Sequence, residues 1–531
     1  MSLTETYKTS PIQAEKSVRR DDIKVLTAGY AGKIIPLKYI PVLREDRVSG
    51  GCRIKIEMDE TAELLMTAVN VDVQAWFVPF LAFDRFDGLD QFNRSYRGQA
   101  EGSGQVVPFI NGIPFNSGSP VNRALGLHGK QGDTVNGAYL EAFNLLVNHR
   151  YEMRSDKITP RAIYDHTLPK GFWHHSQLDH IVPDFDQAAI DGEVMLNLDQ
   201  TKLPVRGILT GTDPYQGSSS RHGVGGEIRD DGSNWFSGAF AAQDPNNMGF
   251  PDVYAELAQE GVTLSLSNIE LAKKTAAFAK IRDEYKVDDE HILDLLMSGI
   301  RVPEVEMSKP LLLDRQKTIF GYDQRYATDG ANLEKSVTTG ETIVDLRFRT
   351  PHMNTGGIIF ITAEISPDQV FERRKDYFLH ATTPAEFPDF MRDYLDPEKV
   401  AVVQNDHIDI HHTQPDATFG YAGLNHQWDR TFINLGDRYY REVGDPFDED
   451  RQRVWDNTTV DPTFTEDFML MNEIHHNVFA SDTVAPFNFQ ALGEVEIVGN
   501  TVFGKRLVES TGSYDALIEN VDTTRVDLPE E

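Results

Sequence analysis

Between residues 69 and 77, Val69, Val71, Val73, Ala75 and Phe77 alternate with Asn70, Asp72 and Gln74. A period of two predicts a strand with one face buried. Pro79 has no N–H to give to a sheet ladder, so it should end this strand or mark an edge. An aromatic-rich exit follows, Phe80 to Phe86. A chain holding such a strand must find sheet partners for it and a core for its apolar face.

Further strands are predicted at Lys33–Ile40, Arg53–Glu57, Glu193–Leu198, the alternating Val344, Leu346 and Phe348, Gly357–Ile365 and Glu494–Val498. Helical spacing of Tyr139, Phe143, Leu146, Val147 and Arg150 predicts a helix from Asn136 to Arg154. Ser267-Asn268-Ile269-Glu270 matches a capping box that opens a helix through Arg282, and another helix covers His291 to Met297. Residues 100–135 and 207–250 are rich in Gly, Ser, Asn and Asp, as surface loops are. The expected division is an arm at 1–30, first strands at 31–95, insertion loops, a helix and strands at 96–206, a variable surface insertion at 207–260, and helices, remaining strands and loops at 261–531. Strands this distant in sequence share a core only by long-range pairing, as in jelly rolls and other Greek-key folds.

The balance of 51 basic against 83 acidic residues, net −32, opposes a broad nucleic-acid face, because phosphates need neutralising. Local basic segments escape that restriction, and Lys8, Lys16, Arg19 and Arg20 in the arm are candidates. Cys52 is the only cysteine, which excludes intramolecular disulfides and multi-cysteine zinc sites. It reads as a small residue in a strand. No apolar run reaches the length of a membrane span, and the first residues lack a signal-peptide core. A reducing cytoplasm is the expected place of synthesis.

Catalytic signatures are sparse. In His407-Ile408-Asp409-Ile410-His411-His412, a strand would project His407, Asp409 and His411 from one face, a candidate zinc or iron set. Alternation with isoleucine explains the spacing equally well. His174-His175 and His475-His476 read as core or interface histidines, and Asp445 to Asp450 as a solvated acidic loop. No Gly-x-Ser-x-Gly elbow occurs. No cofactor is expected. The rivals to a structural role are a β-sandwich metal-dependent enzyme using His407, Asp409 and His411, and a carbohydrate-binding β-protein presenting Trp173 or Trp235.

Several segments, in order, resemble the major capsid proteins of the Microviridae, small icosahedral single-stranded DNA phages, and especially their gokushovirus-like branch. These are Ile35-Pro36, Asn70 to Phe86 with its Trp-Phe-Val-Pro exit, Tyr139 to Arg154, Trp173 through Pro183, Glu193 to Gly207, Ser265 to Gly299, Gly356 to Tyr377, Phe419-Gly420-Tyr421 with Trp428-Asp429-Arg430, and Asp467 to Phe479. The family's Pro-Gly-Asp turn has no counterpart at Leu43-Arg44-Glu45-Asp46. The resemblance implies a single eight-stranded jelly roll with long, partly helical insertions and no enzymatic activity. It also implies self-assembly into a virion shell, T=1 in geometry, in the host bacterial cytoplasm. The implied partners are further copies of the chain, the single-stranded DNA genome, a small basic DNA-binding virion protein, other minor capsid proteins and a host surface receptor, with no membrane. The insertion at 207–260 would form the threefold protrusion, where Gly217, His222, Asp230 and Trp235 are candidate receptor-facing residues.

Overall fold

The computed structural model of the chain describes residues 16–100, 106–173, 178–183, 307–326, 336–351, 354–371, 373–395, 399–430, 434–440, 453–455, 461–472, 474–481 and 483–504, with five short strands between 205 and 255. Nine long strands carry the fold and are numbered here in chain order. They are β1 (Ser17–Gly29), β2 (Ile34–Val42), β3 (Arg47–Met58), β4 (Val69–Pro79), β5 (Leu311–Ile319), β6 (Gly321–Tyr326), β7 (Ser336–Arg349), β8 (Gly357–Pro367) and β9 (Phe487–Gly499). They form a five-stranded sheet in the order β1-β9-β3-β7-β6 and a four-stranded sheet in the order β5-β4-β8-β2. Every pairing in both sheets is antiparallel. The molecule is therefore mainly β, and its sheets do not close into a barrel.

The five-stranded sheet has one wet face, as alternation requires. On β7, Val344, Leu346 and Phe348 are buried while Asp345, Arg347 and Arg349 are exposed. On β3, Val48, Cys52, Ile54 and Ile56 point into the core. The same apolar cluster takes Val71, Val73 and Phe77 from β4, and Ile359 and Ile361 from β8. Fully burying such side chains contributes roughly 1.5–3 kcal/mol each before entropy is counted.

The four-stranded sheet is covered on its other face as well. All eleven residues of β8 are buried. A helix, α1 (Ala138–Arg154), lies there, with Phe143 against Phe360 at 5.6 Å and His149 edge-on to Trp76 at 6.2 Å between ring centroids. The helix begins two residues later than its periodicity predicts and ends where predicted.

The polar face of β4 is consumed within the chain. Arg315 of β5 grips Asp72, Gln74 donates to Asp72 at 3.0 Å, and Trp76 Nε1 donates to Gln74 at 2.7 Å. Asn70 donates to Asp368 at 2.6 Å. Burial of a polar row costs little when every member has a partner.

The arm expected at 1–30 needs correcting. Residues 17–29 are β1, paired along its whole length with β9, from Ser17↔Gly499 to Gly29↔Phe487. β1 is an edge strand with charged residues on both faces, which is why its sequence resembles a free terminus. The loop expected at 100–135 also contains a short antiparallel pair, Gly112–Pro114 with Thr134–Asn136, and a helical turn, Pro120–Ala124, whose N-cap is Ser119.

The chain divides into two compact units. One comprises Met1–Phe185 with Ser298–Glu531, and the other is Asp186–Met297. The second contains a three-stranded antiparallel sheet, ordered Ile208–Gly211, Gly238–Ala242, Arg221–Val224. The insertion expected at 207–260 falls inside it. The strand at Glu193–Leu198 and the helices at Ser267–Arg282 and His291–Met297 lie outside the described residues. Among those residues no helix is long and apolar enough to cross a membrane.

Candidate functional site

The wet face of the five-stranded sheet carries a groove built from register. Arg47, Ser49, Gly51 and Arg53 share the outer face of β3 by the period of two. β7 sets Arg349 opposite Ser49, Arg347 opposite Gly51 and Asp345 opposite Arg53. On the other flank, β9 sets Glu494 opposite Gly51 and Leu492 opposite Arg53. Gly51 has no side chain to stand between its neighbours, so an open groove of about 710 Å³ runs there, lined by Arg53, Arg347, Arg349 and Leu492 among others. A Cβ on Gly51 would sit 2.2 Å from the Leu346 carbonyl oxygen, so the close strand approach requires glycine.

The charges around this groove are unevenly matched. Arg53 holds Asp345 through two bonds of 2.7 and 2.9 Å, and its guanidinium keeps that exposed carboxyl below its ordinary range. Arg20 pairs with Glu494 at 3.0 Å. Arg47 and Arg349 form no ion pair among the described residues, whereas Arg347 lies close enough to Asp345 to help hold that carboxyl below its ordinary range and donates its amide to the Asp314 carboxylate at 2.8 Å. In a chain with 83 acidic against 51 basic residues, such arginines on an open face stand out. They can take up an external anion, and arginine suits phosphate because its planar fork donates two parallel bonds. Cys52, on the inner side of the same strand, is buried, and its thiol is pushed up to about 12 by desolvation, so it is inert.

These arginines are legible in the sequence only in part. The alternation of Val344, Leu346 and Phe348 predicts the buried face of β7, and Asp345, Arg347 and Arg349 then fall on the other face. Their approach to Arg47 and Arg53 depends on pairing across some 300 residues, which no local pattern encodes.

The arm candidates are dispersed. Arg19 is ion-paired to Asp46, whose side chain is buried and also accepts from the Leu43 amide at 2.7 Å. Arg19 therefore fastens β1 to the β2–β3 turn, with its side chain 20% exposed. Arg20 lies on the outer face of the five-stranded sheet, and Lys16 is exposed just before β1. Lys8 lies outside the described residues.

The histidine segment does not form the strand its alternation suggests. Asn405–Ile408 is a helical turn, with the Asp409 amide donating to the Asn405 carbonyl at 3.0 Å. His407 is buried, its Nε2 2.9 Å from an Arg374 guanidinium nitrogen, with the rings of Tyr377 and His426 at 4.9 and 5.0 Å. Burial and the neighbouring cations push its pKa down to about 2, so the ring is neutral. Asp409 is tied to Arg373 at 2.6 Å, while His411 is exposed. The three expected ligands thus have separate surroundings, and among the described residues no group of three His, Cys, Asp or Glu side chains is placed to hold a metal ion.

Trp173 is buried, which removes it as a sugar platform. His476 packs among Tyr30, Trp455 and Phe479. His222 lies in the strand Arg221–Val224. Gly217, Asp230, Trp235, His174, His175 and the acidic loop at 445–450 lie outside the described residues. No protein-family model matches the chain, and no curated protein matches it.

Proposed function

We propose that this chain is a non-enzymatic major capsid protein of the Microviridae type, self-assembling into a small icosahedral shell around single-stranded DNA. We further propose that its two sheets are the halves of a viral jelly roll. The observation that carries the reading is the nesting of strand partners. The first strand pairs with the last (β1–β9), the second with the next to last (β2–β8), the third with β7, and β4 with β5. Successive partner pairs fall alternately in the five-stranded and four-stranded sheets. A long antiparallel hairpin rolled on itself has this order, with β6 as an added edge strand.

Fold alone does not give function. The surface supplies the second support. An acidic subunit that sets Arg347 and Arg349 along a groove is suited to a few phosphate contacts, with a separate basic protein neutralising the rest of the genome. The insertion within 207–260 is assigned to the threefold protrusion and receptor contact, and assembly to the host bacterial cytoplasm.

Negative-stain microscopy of the purified chain tests this. Uniform small shells are the expected result. A stable monomer that binds stoichiometric zinc and loses an activity to chelator would overturn it.

A further inference from the structure

Residues 373–395 lie between Phe371, which stacks on Phe468 at 5.8 Å, and the strand Val400–Gln404. Not one residue from Arg373 to Leu395 is buried. The helices Tyr377–His380 and Phe390–Leu395 are too short to persist in water on propensity alone. A segment with so few buried apolar contacts opens ahead of the core.

A polar clasp holds it. Three consecutive cations, Arg373, Arg374 and Lys375, each take a partner on the turn at 405–409. Arg373 pairs with Asp409 at 2.6 Å, and its carbonyl accepts from the Ile410 amide at 2.9 Å. Arg374 donates to His407 Nε2 at 2.9 Å. Lys375 pairs with Asp406 and lies 5.6 Å from the centroid of the Tyr377 ring. Beyond the clasp, Asp376 pairs with Arg430 at 2.6 Å and Asp393 accepts from Asn425 at 2.7 Å. Phe387 packs against Trp428, with 5.4 Å between ring centroids.

Of the three partners on the turn, only a histidine has an ordinary pKa between 5 and 8. Arginine can only donate, so His407 Nε2 is the acceptor and the neutral ring carries its proton on Nδ1. A second proton would go to Nε2 and set a donor against a guanidinium. Among the described residues, Arg374, Lys375 and Tyr377 face His407 from the segment, Asp406 from its own turn, and His426 from 5.0 Å away. Burial and then Arg374, His426 and Lys375 push the His407 pKa down to about 2, and burial also lowers that of His426. Asp406 is the one group of this set that favours an imidazolium, and Lys375 already engages it.

We propose that residues 373–395 form an acid-released strap, fastened by the neutral ring of His407 and let go when that ring takes a proton. Release parts the two sides of the clasp, returns water to the imidazolium and uncovers Trp428, while the two large sheets stay folded. It needs no second copy of the chain and no shell, and so holds whether or not the chain assembles.

Because the pKa is depressed in the closed state, the fastening is complete above about pH 6.5 and weakens as pH falls toward the closed-state value. Each pH unit below 6.5 multiplies the open population by about ten. Between pH 7.5 and 4.5 the gain from His407 is about 100-fold.

Hydrogen exchange of the full chain, read by mass spectrometry at both pH values and corrected for intrinsic amide rates, tests the strap. The peptide holding Ile410, whose amide bonds to the strap directly, should lose about 100-fold in protection. Peptides within 373–395 should lose protection with it, and those of β8 and β9 should keep theirs. His407→Gln retains an acceptor for Arg374 but takes no proton, so its Ile410 peptide should be nearly indifferent to pH. Should that variant not fold, Arg374→Met removes the repulsion instead and should shrink the pH effect. Loss of protection in strap and sheets together, an Ile410 peptide indifferent to pH in the wild-type chain, or an undiminished pH effect in either folded variant overturns the strap.

Discussion

Arg150 of α1 and Glu364 of β8 form an ion pair whose side chains are each only 8% exposed. Arg150 also lies over the Phe172 ring, 5.2 Å from its centroid. The pair pins the helix to the four-stranded sheet beside the Phe143–Phe360 contact. Removing one partner leaves a buried charge uncompensated, which costs about 3–5 kcal/mol, whereas replacing both with apolar groups is often neutral. Glu364→Ala should therefore shift the urea midpoint of the chain far more than the double variant Arg150→Met/Glu364→Leu. Tryptophan fluorescence reads both. Equal losses in the two variants would mean that packing, not charge, fixes the helix.

Acid should destabilise the fold through its buried and half-buried histidines. His407 is pushed down to about 2 by burial and by Arg374, His426 and Lys375; His476 is pushed down to about 4, chiefly by burial. A lowered histidine pKa means that the folded state prefers the neutral ring. The stabilisation is complete above about pH 6.5 and is lost as pH falls below it, at a slope approaching ~1.4 kcal/mol per pH unit for each histidine. His407→Asn should reduce stability at pH 7.5 but flatten the loss between pH 6.5 and 5. An unchanged slope in that variant would assign the acid sensitivity elsewhere.

Local patterns make the centre of the fold legible, and long-range pairing hides its periphery. The run Gly357–Ile365 has no polar alternation because β8 is covered on both faces, and its sequence says so. β4 is readable as a strand ending at Pro79, but its polar row gives no hint of the Arg315–Asp72–Gln74–Trp76 chain, since Arg315 is 243 residues away from Asp72. β1 escapes a local reading because an edge strand tolerates charge on both faces. The Ile408–Asp409–Ile410 alternation misleads because a helical turn, held by Arg373 and Arg374 from another segment, overrides a short local period. The groove arginines are individually visible, yet only the register of β3, β7 and β9 gathers them.

The groove should bind single-stranded DNA through Arg347 and Arg349. Each phosphate contact on a single strand contributes about −0.7 to the slope of log affinity against log salt. Arg347→Gln/Arg349→Gln should weaken binding of a labelled oligonucleotide and flatten that slope by roughly 1.4. Arg53→Gln should do less, because Arg53 is already engaged by Asp345. Filter binding across a salt series measures both, and particles of the double variant should carry less DNA by their absorbance ratio at 260 and 280 nm. An unaltered slope would remove the groove from the nucleic-acid interface.

Deleting residues 217–232 should leave the two large sheets intact. The segment falls within the compact unit Asp186–Met297, while all nine long strands and their core belong to the other unit. Loop closure adds only about 0.6 kcal/mol per doubling of length, so shortening an insertion should change the stability of the sheets little. The deletion should also remove the strand Arg221–Val224 from the small sheet, and with it any receptor contact made by His222. The deletion variant should remain soluble, keep the thermal midpoint of the parent subunit within a few degrees, and still assemble. Host attachment, measured by particle adsorption to cells, should fall sharply. Loss of soluble expression would instead make the insertion part of the core, and undiminished adsorption would move the receptor surface elsewhere.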